Sequence, residues 1–337
     1  MEKPQGHFVV SLDFELFWGM TDATTLNAYG KNVLGVRTAI PRMLELFTRY
    51  GIHATWGAVG MAMCRNKNEL LSLLPRRELQ PQYPDPRMST YEYIEHAELG
   101  ENESDDPYHY GPSLVEAILK TPNQEFANHT FSHYYAVDGG GNSDVVLARD
   151  LDAHAQISKS YGVSTTSIIF PRNQVSKEAL QVCREKGMTT YRGNENHFLY
   201  RARGYKEQNL FIRGLRLLDH YINVSGYHTY KIQNPEAEIK NVPSSRFLRP
   251  YMPALKLFEP LRMFRIKRAM AHAAKRGEVF HLWWHPHNFG IHQEENFKNL
   301  TTILEHFKKL QSEYGMQSAS MKELTISSGV VSSRSRS

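Results

Sequence analysis

The sequence predicts an α/β fold, a parallel (β/α) barrel of about seven strands, from three observations. Apolar runs of strand length recur along the chain, each followed by a stretch with helical periodicity. The first three of these read as strand, helix and strand, a β-α-β opening that implies a parallel sheet. Ionisable residues gather where the apolar runs stop, and in a parallel barrel those ends open together on one face.

Residues 8–15, Phe-Val-Val-Ser-Leu-Asp-Phe-Glu, are an apolar run ending in acids, as a buried parallel strand does where it meets a functional face. Strand alternation puts Ser11, Asp13 and Glu15 on one side. After a Gly-containing loop, Val36, Ile40, Met43, Leu44 and Phe47 mark a helix over 35–50 that Gly51 stops. Residues 53–60 form the second strand, and 66–74 a short helix closed by Pro75. Prolines, tyrosines and an acidic patch at 101–106 make 75–112 an insertion, either functional or a plain surface excursion. A helix at 113–120 leads to a strand that ends in His129 and His133. Gly139, Gly140 and Gly141 form a turn without phosphate-loop context. A helix over 144–161, a strand over 167–170, a helix capped by Ser176 and ended by Gly187, and a strand from Thr189 to Arg192 repeat the period. Residues 194–250 are less legible, with mixed signals at 207–219 and a short strand at 223–230. A helix from about Ala254, interrupted at Pro260, runs to Arg276. The strand 279–284 and the amphipathic helix 296–314 complete the pattern.

The length of 337 residues suits one barrel domain over 1–326, followed by a disordered tail at 327–337. A hydrophobic content of 41% describes a soluble globular chain, and no apolar run is long enough to cross a bilayer. The N-terminus enters a strand at Phe8 with no room for a leader, so the cytoplasm is expected. Cys64 and Cys183 read as reduced structural thiols. The net charge of +5 concentrates between Arg246 and Arg276, a stretch interleaved with Leu257, Phe258, Leu261 and Phe264. It could meet an anionic membrane surface, although a barrel helix with a solvated basic face is the favoured reading. Nucleic-acid binding has no support beyond charge.

The residues at the strand ends carry the chemistry. His129 and His133, four apart, can turn two imidazoles toward one point, although this spacing also occurs on solvated helix faces and in cores. With Asp13 and Glu15, Arg172, and His285 and His287 at other strand ends, a three-ligand site with an open position becomes available. That is the pattern of a hydrolytic zinc or similar divalent metal. A second carboxylate serves as base and an acid on the opposite side protonates the leaving amine.

These stretches resemble the polysaccharide deacetylase family, the NodB-homology or carbohydrate esterase family 4 group, whose fold is a distorted (β/α) barrel. Ser-Leu-Asp13-Phe-Glu15 resembles its first motif, Thr-Phe-Asp-Asp, and 54–60 its second strand. Asn128-His129-Thr130-Phe131-Ser132-His133 matches its His-(Ser/Thr)-x-x-His motif. Phe170-Pro171-Arg172 is similar to its Arg-x-Pro-Tyr segment in permuted order, and Trp284-His285-Pro286 to its last motif. Asn194 and Glu195 are candidates for the fourth. Phe14 stands where the family has its second aspartate, so the next acid is Glu15.

The resemblance implies Asp13 as base and Glu15, His129 and His133 as metal ligands, with the two carboxylate roles open to reversal. It implies Arg172 as the group that positions the base and His285 as acid, with His287 the alternative. The expected activity is hydrolysis of an N-acyl group, foremost acetate, from a sugar residue or a sugar nucleotide-like or lipid-linked saccharide, in cell-surface polysaccharide or lipopolysaccharide biosynthesis. Two rivals are a hydrolase of a non-sugar amide or cyclic imide, and a carbohydrate-binding relative without catalysis.

Overall fold

The computed structural model describes residues 5–140, 143–204, 210–231 and 237–326. The tail expected at 327–337, Gly141 and the start of the mixed stretch at 207 lie outside them. The strands are β1 (His7–Phe14), β2 (Ala54–Ala58), β3 (Gln124–Asn128), β4 (Ser167–Ile168), β5 (Thr190–Tyr191), β6 (Lys240–Asn241), β7 (Arg246–Phe247), β8 (Val279–Trp284) and β9 (Gln317–Ser318). They form one sheet in the order β6-β5-β4-β3-β2-β1-β8-β7, with β9 added beside the start of β1. Every strand pair is parallel. Eight strands therefore stand in the row where the sequence predicts about seven. The sequence misses β6 and β7, two-residue strands too short to carry a periodic signal, and the strand it expects at 223–230 does not join the row.

Those two strands also curl the sheet. They are successive stretches of one segment and sit at opposite ends of the row. Between them the Ser244 amide donates to Gly193 O beyond β5, and the Ser245 amide donates to His281 O on β8. The parallel sheet thus bends around an interior space, as the barrel reading expects.

Alternation along β1 sorts the residues into two environments. Phe8, Val10, Leu12 and Phe14 are fully buried in the main core, which also holds Trp56 from β2 and Phe47, Ile303 and Phe307 from outside the sheet. Each such side chain contributes about 1.5–3 kcal/mol by leaving water. Val9, Ser11 and Asp13 alternate with them, and Val9 packs with Ile169, Val242 and Val279 in a separate interior cluster. On β8 the same rule sends Phe280, Leu282 and Trp284 to the main core. It leaves His281 and Trp283 for the interior, where His281 Nε2 lies 2.8 Å from Ser11 Oγ.

Helices fall near their expected places, from Val36–Tyr50, ended by left-handed Gly51, to Gln293–Tyr314. An additional helix, Leu26–Leu34, occupies the loop expected before it, with Thr25 accepting from the Ala28 amide as its cap. Gly30 inside it breaks the apolar period that would have revealed it. The mixed stretch resolves into the helix Leu210–Asp219, and the strand expected at 223–230 is reduced to one antiparallel bridge, Tyr230 to Val279. Pro260 falls in the first turn of the helix Glu259–Arg276, where its missing N–H costs nothing, so it starts a helix rather than interrupting one.

The 75–112 segment carries two short 3-10 turns and the helix Thr90–His96. It buttresses the site loops: Thr90 Oγ1 donates to Ser132 O, the Tyr135 amide donates to Tyr83 Oη, and Trp18 Nε1 donates to His109 O. Cys64 and Cys183 are both free and buried.

Candidate metal centre and active site

Glu15 follows β1 directly and its carboxylate is ringed by imidazoles. Oε1 lies 3.0 Å from His129 Nε2, 3.2 Å from His133 Nε2 and 3.5 Å from His285 Nε2, while Oε2 lies 3.5 Å from His287 Nε2. Only 3% of the Glu15 side chain reaches solvent. Burial acts to raise its carboxyl pKa, but His285 and His133 overcome this and hold it well below the usual range. The turn after β1 closes tightly over this group, because a Cβ on Gly19 would sit 2.1 Å from Glu15 Oε2.

The donor set fits a divalent metal. His129 Nδ1 lies 2.7 Å from Ile169 O, a carbonyl that can only accept, so Nδ1 carries the proton. Nε2 is thereby turned to the Glu15 oxygen at 3.0 Å, so the two atoms would share a divalent cation placed between them. Burial lowers the pKa of His133 despite Glu15, which favours the neutral, ligating form. Two trios of donor atoms that share Glu15 lie within 4.8 Å of one another, Glu15 with His129 and His133, and Glu15 with His285 and His287. The first contains the expected ligands.

The His129–His133 loop is held from behind. Thr130 and His133 adopt positive φ of 62° and 57°, which β-branched and bulky residues keep only under constraint. Asp150 supplies it: its carboxylate accepts from the Phe131 and Ser132 amides and from Ser132 Oγ. Burial pushes the Asp150 carboxyl up to about 6.

Asp13 stands beside this centre in a different environment. Arg192 Nη1 donates to Oδ1 at 2.6 Å and Nη2 to Oδ2 at 2.7 Å. The guanidinium also donates to Ser11 Oγ and Asn173 Oδ1, and lies 4.3 Å from the Trp283 ring centre. Burial would raise the Asp13 pKa, yet Arg192 and the nearby His129 leave it lowered. Asp13 is thereby an ionised carboxylate with a fixed orientation.

Arg172 does not take that place. Its backbone has φ of 54° within the turn Pro171–Asn173, and its side chain pairs with Asp22 and stacks over Tyr135. The expected positioning of Asp13 by Arg172 is corrected to Arg192, which follows β5 and shares the interior side of that strand with Thr190. The missed signal is an arginine at a strand end, the same signal that singled out Arg172. Asn173, next to Arg172, does reach the Asp13 clamp, and Asn194 Nδ2 donates to Asn173 O.

His285 and His287 diverge. His285 Nε2 lies 3.7 Å from Asp13 Oδ2, and its side chain is 24% exposed to the pocket. Burial lowers its pKa, but Glu15 and Asp13 outweigh this and raise it. His287 is buried with a lowered pKa, and its Nδ1 lies 2.9 Å from the hydroxyl of Tyr29. Burial and Glu15 push that phenol up to about 12. Tyr29, Arg192, Asp150 and Asp22 are the site residues that sequence reasoning missed.

The pocket that joins these groups encloses about 570 Å³ and reaches from Asp13, Glu15 and His285 to the Leu210–Asp219 helix. No helix among the described residues is long and apolar enough to cross a membrane.

Residues 29–191 match the polysaccharide deacetylase family. That stretch holds His129, His133 and Arg172, while Asp13, Glu15 and His285 lie outside it. A Mycobacterium smegmatis protein assigned as a polysaccharide deacetylase is similar, with a TM-score of 0.57 and 12% identity over 98% of this chain and 94% of that one. A Pseudomonas aeruginosa PAO1 protein of the same assignment gives 0.55 and 9% identity over 95% and 90%. PuuE allantoinase gives 0.54 and 10% identity over 95% and 90%. At these identities the likeness is one of fold. No curated protein matches the chain in sequence.

Proposed function

Since residues 29–191 match the polysaccharide deacetylase family, we propose that the chain is a metal-dependent hydrolase that removes an N-acetyl group from a saccharide. The observation that carries this reading is the adjacency of two carboxylates in opposite settings: Glu15 ringed by imidazoles and Asp13 clamped by Arg192. A divalent ion held by Glu15, His129 and His133, most simply Zn2+, supplies Lewis acidity toward the amide carbonyl and acidifies water.

The remaining steps belong to the chain. Asp13, ionised and aimed by Arg192, accepts the proton of the attacking water. His285, with a raised pKa and partial exposure to the pocket, donates a proton to the departing amine nitrogen. Arg192, itself held by Asn173, fixes the base so that the proton transfer from water occurs from a set geometry. The pathway we assign is cell-surface polysaccharide or lipopolysaccharide biosynthesis.

Acetate release from N-acetylated saccharides tests the proposal. Release that stops under chelation and returns with added metal supports it. A chain that binds saccharide but releases no acetate with any metal supplied is a carbohydrate-binding relative instead. The fold likeness to an allantoinase gives a second reading, hydrolysis of a cyclic amide. Ring opening of a small cyclic ureide without acetate release from any saccharide selects that reading.

A further inference from the structure

Besides Arg172, five arginines line the wall of the pocket, Arg201, Arg203, Arg213, Arg216 and Arg249. None of them forms an ion pair with a carboxylate among the described residues. Arg203 donates to the Phe198, Leu199 and Arg201 carbonyls, and Arg216 donates to Leu199 O and lies 5.8 Å from the Tyr200 ring centre. Arg249 Nε is buried without a hydrogen-bond partner among the described residues. Glu195, a carboxylate that also lines the pocket, is buried and has a raised pKa, chiefly from burial. Arg172, which also lines the pocket, is already paired with Asp22.

So many guanidiniums facing one cavity repel one another, and nothing in the Asp13, Glu15 and His285 chemistry requires them. From this wall we propose that the pocket takes a saccharide bearing a phosphate or diphosphate, with the anion on the arginines and the N-acyl group at Glu15. This rests on the deacetylase reading for the reacting group, but not for the anion. A single sugar carboxylate would satisfy one guanidinium fork and leave the others uncompensated. A diphosphate presents several acceptor oxygens and more than one charge, which matches a set of planar donors.

Two sources carry such a group, a nucleoside diphosphate sugar and a saccharide diphosphate on a polyisoprenyl lipid. The helix that lines the pocket with Arg213 and Arg216 exposes Leu210, Phe211 and Leu218. Tyr221, just beyond it, stacks edge-on against exposed Phe258, which continues the apolar surface to Leu257 and Leu261. A polyisoprenyl chain would find these exposed apolar side chains on and beside an element that lines the pocket.

The test compares direct binding of an N-acetylhexosamine 1-phosphate with that of the neutral N-acetylhexosamine to the metal-loaded protein. We expect the phosphate to bind at least about tenfold tighter, with an advantage that shrinks as salt rises. In the double variant Arg213→Gln, Arg249→Gln the advantage disappears while the neutral sugar binds as before. The double variant Arg213→Lys, Arg249→Lys keeps part of it, which separates charge loss from misfolding. Equal binding of the two sugars by the wild type, or an advantage that survives the Gln variant, overturns the proposal. Uridine diphosphate and short-chain polyisoprenyl diphosphate forms of the sugar then identify the source, and tighter binding of either over the monophosphate supports the site. Phosphate preference without acetate release sinks the deacetylase reading alone. Acetate release without phosphate preference sinks the anion site alone.

Discussion

Arg192 holds both oxygens of Asp13 at once, at 2.6 and 2.7 Å, with neither side chain more than 3% exposed. A planar guanidinium can do this and a lysine ammonium cannot. Arg192→Lys should lower kcat/KM on the order of 10²-fold through loss of orientation. Asp13 has a lowered pKa in the wild type, so activity should persist to unusually low pH before its acid limb begins. In Arg192→Lys that limb moves up, and in Arg192→Ala further, with a stability loss of about 3–5 kcal/mol for the orphaned charge. pH–rate profiles and denaturant titrations of the two variants check both statements; an unmoved limb rejects the clamp.

His285 and His287 are separated by their protonation. The pKa of His285 is raised and that of His287 lowered, so at neutral pH His285 is the better proton donor. His285→Ala should reduce turnover by about 10²–10⁴-fold while the protein keeps its metal. The wild-type rate should fall at alkaline pH through a value above 6.5, and His285→Ala should lose that limb. If His287→Ala removes the limb and His285→Ala does not, the acid is His287.

Asp150 touches neither substrate nor metal ligand directly, yet it fixes the loop that presents both histidines. Asp150→Ala should weaken metal affinity by about 10–100-fold, the usual consequence of losing an outer-shell support. Equilibrium metal titration reads this without reference to activity. Undiminished affinity would show that the strained Thr130 and His133 backbone holds itself.

Asp219 anchors the arginine-bearing wall. It is fully buried, pairs with Arg246 at 2.6 Å and Arg265 at 2.9 Å, and accepts from Tyr200 and Ser225 hydroxyls. Burial works to raise its pKa, but Arg246 and these hydrogen bonds depress it strongly. A depressed folded-state pKa stabilises the protein above the unfolded carboxylate value, near 3.9, and that stability is lost as pH falls toward the folded value. Asp219→Ala should cost about 3–5 kcal/mol at pH 7, with a much smaller difference from wild type in strong acid. Thermal unfolding of the two proteins between pH 2 and 7 measures the convergence.

The parallel sheet was legible because alternation is local. Phe8 to Phe14 and Val279 to Trp284 announce their own inward residues, and Asp13 and His285 follow from them, while His129 and His133 are marked by their own four-residue spacing. Arg192 was not legible, because its partner lies 179 positions away and β5 is only two residues long. Arg172 drew attention by following Phe170-Pro171, but a left-handed backbone at that turn sends it to Asp22. The basic excess of the 246–276 stretch was visible, while its distribution was not. Arg246 and Arg265 are spent on buried Asp219 and Arg262 on Glu259, leaving Arg249 to the pocket.

The division of labour between Asp13 and Glu15 is best tested by elemental analysis beside single-turnover acetate release for Asp13→Asn and Glu15→Gln. The account predicts that Asp13→Asn keeps a full complement of metal and loses turnover by about 10²–10⁴-fold, and that Glu15→Gln loses the metal. An Asp13→Asn protein without metal, beside a Glu15→Gln protein that retains it, would contradict the assignment and exchange the two roles.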